Sequence, residues 1–330
     1  MKKRIMSGMR PTGSLHLGNY FGALENWVRL QDEFECFFSI VDWHALTTGY
    51  EDTADLENNT LEMAADWISA GIDPERSTIF LQSGVKEIAE LHLLLSMIVP
   101  ISWLERNPTY KDQLNQLDTK NIATYGFLGY PTLQTADILI HRGEVVPVGE
   151  DQLPHLELSR EIARRFNHIY GETFPEPQHR LNQIKQLPGL DGRKMSKSYG
   201  NAISIADEPD AIGKKIMQMI TDPEKIKKDD PGHPDICSVF SMHKVFNAGE
   251  CAEIETVCKA GGLGCVACKR NLAAKVNEFM TPMHEKRVKL LENKDSLKEI
   301  LHEGTKKASR EAAITMEIVR EHMKMPRLWK

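Results

Sequence analysis

The sequence has few features that would direct it to a membrane or to a general nucleic-acid coat. Its 330 residues contain no run that approaches the ~18 apolar residues needed to span a bilayer, and the basic residues at 2–4 are not followed by a signal-type apolar block. The formal net charge of −6 has the wrong sign for a nucleic-acid coat. Neither an internal repeat nor a low-complexity tract is present. We therefore expect a cytoplasmic protein that has no membrane contact and whose length allows two domains.

Cysteine is also scarce, and its distribution is uneven. Only six occur, and five of them lie within residues 237–268, which leaves Cys36 apart. In a cytoplasmic chain this crowding indicates a metal or cluster site rather than disulfides. Four thiolates suit either a tetrahedral zinc ion or a [4Fe–4S] cluster, and three close ligands with one remote ligand favour the cluster, because zinc sites tend to use two close pairs. The predicted ligands are Cys237, Cys258, Cys265 and Cys268, with Cys251 as a less favoured substitute.

Short apolar runs alternate with segments of helical spacing up to about residue 206. The runs are rich in β-branched and aromatic residues, which is typical of strands, whereas amphipathic helical patterns dominate after residue 206. Strands that alternate with helices predict a parallel sheet covered on both faces, with ligands bound beyond the carboxyl ends of the strands. We predict an α/β fold with a Rossmann-type parallel sheet in residues 1–206 and a smaller C-terminal helical domain in residues 207–330. The predicted strands are 5–9, 36–41, 77–81 and 145–148, and the predicted helices are 21–30, 55–70, 87–97, 153–166, 211–220, 272–291 and 305–323.

Residues 10–20, here called the anion turn, join the first predicted strand to the first predicted helix. A strand-to-helix turn of this kind leaves backbone N–H groups unpaired and favours a bound anion, most often phosphate. Gly13 and Gly18 allow the backbone to approach that anion closely, and His16 and Asn19 can donate hydrogen bonds to it. The alternative is an ordinary connection between a strand and a helix.

Residues 192–200, here called the lysine loop, carry Lys194 and Lys197 between flanking glycines. Two lysines in a mobile, glycine-bounded loop are suited to neutralising the charge of a polyphosphate leaving group. Taken alone, this spacing is most often a solvated turn. Because the chain also contains the anion turn, we expect the two segments to form one site for phosphate chemistry.

The two segments together resemble the signatures of class I aminoacyl-tRNA synthetases. HLGN at 16–19 is similar to the first signature of that class, HIGH, and KMSKS at 194–198 matches the second. Further segments at 41–47, 130–137 and 147–152 resemble the subclass specific for tryptophan and tyrosine, and most of all its tryptophanyl members. The resemblance covers nearly the whole chain.

This resemblance implies a ligase that activates tryptophan with ATP and Mg²⁺ and transfers it to tRNA(Trp), releasing AMP and pyrophosphate. It also implies a homodimer, with residues 1–206 binding ATP and amino acid and residues 207–330 binding the anticodon, while the last helix packs back on the catalytic domain. His16, Asn19, Lys194, Lys197 and Lys111 are the implied catalytic residues. The chain departs from the usual pattern at Arg10, where many bacterial members carry Gln, and at Asn19, which replaces the last His of the signature. The implied ATP-binding residues are Arg10, Thr12, Gly18, Asn19, Gly149, Asp151, Gln152, Lys194, Met195, Ser196 and Lys197.

The amino-acid pocket is predicted around Asp137. Its carboxylate can accept a hydrogen bond from an indole N–H and equally from a phenol O–H, so it does not choose between tryptophan and tyrosine. Met6 favours tryptophan, because tyrosine-specific relatives carry at this place a tyrosine that binds the substrate hydroxyl, whereas methionine supplies only an apolar wall. The predicted tryptophan-binding residues are Met6, Ser7, Gly8, His44, Tyr130, Gln134, Asp137, Val148 and Gln152.

The resemblance also bears on the cysteines and on the alternatives. A subset of bacterial tryptophanyl enzymes carries a [4Fe–4S] cluster on a similar run of cysteines, and zinc is the alternative occupant. Three alternative functions stay open at this point. They are a tyrosyl-tRNA synthetase, a small-molecule nucleotidyltransferase with the same phosphate turn, and an iron–sulfur RNA-binding sensor on a synthetase fold.

Overall fold

A five-stranded parallel sheet forms the centre of the N-terminal part of the molecule. The computed structural model describes residues 2–107, 110, 124–181 and 187–328. The strand order is β3-β2-β1-β4-β5, so the chain reverses its direction of progress across the sheet between β1 and β4. Ligands of open parallel sheets bind at such a reversal, beyond the carboxyl ends of the strands. The strands are β1 (Arg4–Met9), β2 (Glu35–Ile40), β3 (Ser77–Leu81), β4 (Val145–Val148) and β5 (Gln178–Leu181).

Helices cover both faces of this sheet and dominate the C-terminal part. Short helical turns supplement them, including a π-helical turn at Tyr20–Leu24 between α1 and α2. Every helix within the described residues is too short or too polar to cross a lipid bilayer. The helices are α1 (Leu17–Asn19), α2 (Glu25–Leu30), α3 (Asp42–Gly49), α4 (Leu56–Ser69), α5 (Lys86–Ser96), α6 (Ile101–Glu105), α7 (Tyr125–Ile140), α8 (Leu153–Tyr170), α9 (Pro209–Gln218), α10 (Ser238–Phe246), α11 (Cys251–Lys259), α12 (Cys265–Glu292) and α13 (Lys294–His322).

The predicted fold class is confirmed, because the sheet is parallel and both of its faces are buried. Alternate side chains of one strand enter two separate apolar cores: Phe38 joins the core on one face, and Phe37 joins the core on the other. The four predicted strands are present within one residue of their expected bounds. The fifth, β5, gave no apolar signal, because it is a largely exposed edge strand of polar residues.

Helix α13 returns from the C-terminal part to the sheet and lies along the edge strand β3. Gly304 makes this approach possible, since a Cβ atom there would lie 1.8 Å from the carbonyl oxygen of Ile79. Thr305 accepts a hydrogen bond from the backbone N–H of Leu81 at 3.1 Å through its hydroxyl. The helix therefore covers an edge that would otherwise present unpaired backbone groups.

Candidate functional site

A cavity of 670 Å³ opens beyond the carboxyl ends of β1 and β4. It brings together residues from five separate stretches of the chain, as the strand reversal predicts. Gly18, Lys194 and Met195 do not line it, and Lys111 lies outside the described residues. The predicted residues that line the cavity are Met6, Ser7, Gly8, Arg10, Thr12, His16, Asn19, His44, Tyr130, Gln134, Asp137, Val148, Gly149, Asp151, Gln152, Ser196 and Lys197.

The anion turn is held in shape by a reciprocal pair of hydrogen bonds between His16 and Asn19. The backbone N–H of His16 donates to Asn19 Oδ1 at 3.0 Å, and the backbone N–H of Asn19 donates to His16 Nδ1 at 3.3 Å. This arrangement caps the start of α1. Gly18 is required because a Cβ atom there would lie 2.9 Å from the imidazole ring of His16. Gly13 has a φ of +94°, a backbone conformation that residues with a side chain rarely adopt.

His16 is a neutral hydrogen-bond donor in this setting. Burial, together with the smaller effect of the nearby cations Lys197 and Lys194, lowers its pKa to about 4. Because Nδ1 accepts from the backbone, the proton of the neutral ring sits on Nε2 and can be donated to a ligand. Asn19 is placed in the same way, since its oxygen is engaged by the backbone and its NH₂ group remains for a ligand. Asn19 therefore preserves a donor where the family signature has His.

The lysine loop docks directly on the anion turn. Lys197 Nζ donates to the carbonyl oxygens of Thr12 at 3.2 Å and Gly13 at 2.8 Å. Met195 points the other way and is buried in the core, where it anchors the loop. Just downstream, the backbone N–H of Leu17 donates to Ile203 at 3.0 Å. The two predicted phosphate-binding segments, far apart in the sequence, thus form one cationic surface.

The opposite end of the cavity is built around the carboxylate of Asp137, which is 4% exposed. Gln82 Nε2 donates to its two oxygens at 2.8 and 2.9 Å, and His44 Nε2 lies 2.9 Å from Oδ2. Gln82 Oε1 in turn accepts from the backbone N–H groups of Trp43 and His44. Sequence reasoning missed Gln82, although its place directly after β3, at the carboxyl end of a strand, was a usable signal.

Tyr130 belongs to a second buried chain of hydrogen bonds that sequence reasoning also missed. Asn107 Nδ2 donates to His155 Nδ1 at 2.8 Å, and His155 Nε2 lies 3.0 Å from the Tyr130 hydroxyl. Burial lowers the pKa of His155 to about 4 and raises the pKa of Tyr130 to about 12, so both groups are neutral. The chain fixes the Tyr130 ring at the wall of the cavity.

A second, small cavity of 20 Å³ lies in the helical part and is lined by all four predicted cysteine ligands. Cys251 does not line it. Burial and the neighbouring sulfurs raise the pKa of Cys268 to about 12, and the pKa of Cys258 is raised for the same reasons. Without a cation these thiols are therefore protonated. Within the described ranges, no three His, Cys, Asp or Glu side chains are arranged to hold a single metal ion.

The two ends of the large cavity have different chemistry. Backbone and side-chain donors and the ammonium of Lys197 suit a phosphorylated ligand at one end. An oriented carboxylate between apolar walls such as Met6 suits a ring with a hydrogen-bond donor at the other end. The arrangement can hold a nucleotide and a second small molecule side by side.

Comparisons with known proteins agree with this geometry. Residues 1–281 match the family described as tRNA synthetases class I (W and Y). The chain is 47% identical over 394 residues to a tryptophan–tRNA ligase of Aquifex aeolicus, with 98% of this chain and 100% of the relative covered. It is 50% identical over 326 residues to one of Thermotoga maritima, with 98% and 99% covered. Among solved structures, tryptophanyl-tRNA synthetase from Campylobacter jejuni complexed with ADP and tryptophan has a TM-score of 0.90 at 37% identity, covering 98% of this chain and 100% of that one.

The protonation state of His16 gives the first testable prediction. We expect NMR titration of the imidazole to give a pKa of about 4, so that the ring stays neutral above pH ~5. Lys197→Met should raise that pKa by removing a nearby cation, whereas Lys227→Met, on an exposed residue far along the chain, should leave it unchanged. An ordinary histidine pKa in the unaltered protein would contradict the assignment of His16 as a neutral donor.

Proposed function

The chain belongs to the class I tRNA synthetases of the tryptophan and tyrosine group, and on that premise we propose how its own residues carry out the tryptophan–tRNA ligase reaction. It is a tryptophan–tRNA ligase, an aminoacyl-tRNA synthetase that joins tryptophan to tRNA(Trp). The observation that supports the assignment of residues is the cavity in which the anion turn, the lysine loop and the Asp137 carboxylate meet.

Recognition of tryptophan is assigned to Asp137. A carboxylate has about four lone-pair sites, and three hydrogen bonds from Gln82 and His44 leave capacity for one further donor. An indole has one N–H donor and no acceptor, so it completes this set. Met6 is buried and offers an apolar surface to the ring in place of a partner for a phenol hydroxyl. A buried polar group left unpaired by the wrong ligand discriminates strongly against it.

Adenylation is assigned to the anion turn and the lysine loop. The tryptophan carboxylate attacks the α-phosphorus of ATP, a bond forms between carboxylate oxygen and phosphorus, and the bond from that phosphorus to the pyrophosphate oxygen breaks. His16 Nε2–H and the NH₂ group of Asn19 donate to the α-phosphate, while Lys197 neutralises the departing pyrophosphate. Lys194 lies outside the cavity lining but close enough to His16 to lower its pKa, and it adds positive charge to the same surface. The nucleophile is already ionised, so no proton transfer is required and catalysis consists of positioning and electrostatics.

The remaining nucleotide contacts are assigned by position in the cavity and by resemblance. The segment that follows β4 would hold the ribose, and Lys111 would contact the phosphates. A hydroxyl oxygen of the tRNA then attacks the carbonyl carbon of the adenylate. An ester bond forms, the bond from that carbon to the phosphate oxygen of AMP breaks, and AMP and the hydroxyl proton are released. The assigned residues are Arg10, Thr12, Gly149, Asp151, Gln152 and Ser196 for ATP, and Ser7, Gly8, Tyr130, Gln134 and Val148 for the walls around tryptophan.

Magnesium enters this reaction with the nucleotide. The side chains that face the phosphate position, His16, Asn19 and Lys197, are neutral or cationic and do not form a metal site. We therefore assign Mg²⁺ to the phosphate oxygens of ATP and to water. When bound, it supplies positive charge that stabilises the pyrophosphate leaving group.

Pyrophosphate exchange into ATP tests the function and the pocket together. We expect exchange that depends on tryptophan, and exchange with tyrosine alone would overturn the specificity. Gln82→Met should raise the KM for tryptophan by about 10- to 100-fold, because it removes a buried hydrogen bond to a carboxylate.

Gln31→Met provides the matched control for that variant. Gln31 is also a buried glutamine whose side chain has four hydrogen-bond partners, but it lies outside the cavity lining. We expect it to lower stability without changing the KM for tryptophan. An unchanged KM in Gln82→Met would contradict the role given to Gln82.

The cysteine cavity is assigned to a [4Fe–4S] cluster, with zinc as the alternative occupant. Cys237, Cys258, Cys265 and Cys268 line one small cavity, which fits a group with four thiolate ligands. Three cysteines close together in the sequence with one remote favour the cluster over zinc, because zinc sites tend to use two close pairs. A cluster there would cross-link the segment before α10 to α11 and to the start of α12.

Iron and sulfide analysis of protein purified without oxygen tests this assignment. We expect about four irons and four sulfides per chain, a brown colour and loss of both on air oxidation. Cys265→Ser should abolish the signal, because it removes a ligand, whereas Cys251→Ser should retain it. A colourless protein with one zinc per chain would exclude the iron–sulfur cluster.

We assign the dimer interface to an apolar surface on α5, α6 and the start of α7. Four large apolar side chains there are each more than half exposed, although the elements that carry them pack together. Exposed apolar groups on adjoining elements mark an interaction surface, and a second copy of the chain can cover them through a two-fold axis. The residues are Leu93, Met97, Ile101 and Tyr125.

Analytical ultracentrifugation tests this surface. We expect the unaltered protein to sediment at twice the 37.4 kDa mass of the chain. Met97→Glu should shift it to the monomer, because a charge would have to be buried in the interface. Ile226→Glu, at an exposed apolar residue outside this surface, should remain dimeric. A monomer at micromolar concentration in the unaltered protein would contradict the proposal.

A further inference from the structure

A buried ion-pair network joins α12, in the C-terminal part of the chain, to α4 beneath the anion turn. Arg287 on α12 is 6% exposed, and Asp66 on α4 is fully buried. Arg287 Nε donates to Asp66 Oδ1 at 2.6 Å, and Arg287 Nη2 donates to Glu62 Oε2 at 3.0 Å. Glu62 and Asp66 are one helical turn apart, so a single guanidinium spans both.

The same two carboxylates also hold the backbone of the anion turn. The N–H of Leu15 donates to Asp66 Oδ2 at 2.8 Å, and the hydroxyl of Ser14 donates to Glu62 Oε2 at 2.8 Å. Ser14 and Leu15 directly precede His16, the residue assigned to the α-phosphate. The two carboxylates therefore hold the anion turn in position, and Arg287 in turn holds the carboxylates.

The network also reaches the lysine loop electrostatically. Partial burial lowers the pKa of Lys197, and the negative charges of Asp66 and Glu62 oppose that shift and favour its ammonium form. Lys197 binds the carbonyl oxygens of Thr12 and Gly13, on the same turn that the carboxylates hold. The positions of both phosphate-binding groups thus depend on one pair of carboxylates.

We propose that Arg287 is a positioning residue for adenylation, which sets the anion turn for ATP through Asp66 and Glu62. This inference rests on the proposed function. Arg287 does not line the cavity, so it acts on the anion turn by orienting the two carboxylates and by its own long hydrogen bond, 3.5 Å, from Nη2 to the Ser14 hydroxyl. The guanidinium fork suits this task, because a lysine ammonium cannot pair with two carboxylates in the same fixed geometry.

The role predicts a separation between ATP and tryptophan kinetics. In pyrophosphate exchange, Arg287→Met should lower kcat/KM for ATP at least tenfold and leave the equilibrium affinity for tryptophan unchanged, because the Asp137 pocket makes no contact with the network. Arg287→Lys should restore part of the loss, since it keeps the charge and loses the fork. If Arg287→Met does not fold, Arg287→Lys is measured in its place, and it should also lower kcat/KM for ATP without changing the affinity for tryptophan.

Arg320→Met is the matched control. Arg320 on α13 also makes a two-pronged ion pair with a carboxylate of another helix, Glu90 on α5, with Nε at 2.8 Å. It should lower the melting temperature without changing the ATP parameters. If Arg287→Met and Arg287→Lys behave like this control, the role of Arg287 is structural and the inference is wrong. If the unaltered protein shows no tryptophan-dependent exchange, the proposed function itself fails.

Discussion

The docking of the lysine loop on the anion turn is the interaction on which the rest of the site depends. Neither segment would form the proposed phosphate site alone, since the turn supplies hydrogen-bond donors without a full charge and the loop supplies charge without a fixed position. Lys197 joins them through the carbonyl oxygens of Thr12 and Gly13. The same contact keeps a cation beside His16, which helps to hold the imidazole neutral and therefore available as a donor with a defined tautomer.

The sheet explains why the proposed amino-acid pocket lies next to the proposed phosphate site. Strand β1 ends at the anion turn and β4 ends at the segment 149–152, and the two strands are neighbours at the point where the strand order reverses. Asp137 comes from α7, which precedes β4, and Gln82 follows β3. The carboxyl ends of parallel strands thus bring a carboxylate pocket and an anion turn to one cavity, although the residues come from distant parts of the chain.

Much of the site was predictable because its residues lie in turns, where polar side chains carry a local signal. The signatures at 16–19 and 194–198 are of this kind. Gln82, Asp66 and Arg287 were missed because a polar residue inside or beside a helix is most often a solvated one, and only the tertiary fold shows that these are buried. Helix α7 was also missed as an element, because it is buried on most of its surface and contains Pro131, so it has neither an amphipathic period nor a regular helical sequence. The proposed phosphate-binding segments can therefore be predicted from local sequence, whereas the buried residues that hold them in position cannot.

The burial of the Arg287 pair constrains how the C-terminal helices can move. Removing one partner from a buried ion pair leaves an uncompensated charge, which is strongly unfavourable, so α12 cannot withdraw from α4 without exposing or neutralising Asp66. Helix α12 starts at Cys265, about 33 Å along its axis from Arg287. A straight helix transmits displacement along its length better than a loop does. A displacement at the cysteine end of α12 is therefore either absorbed by bending of the helix near Pro282 or transmitted to the anion turn. As long as the ion pair between Arg287 and Asp66 is intact, it favours bending near Pro282.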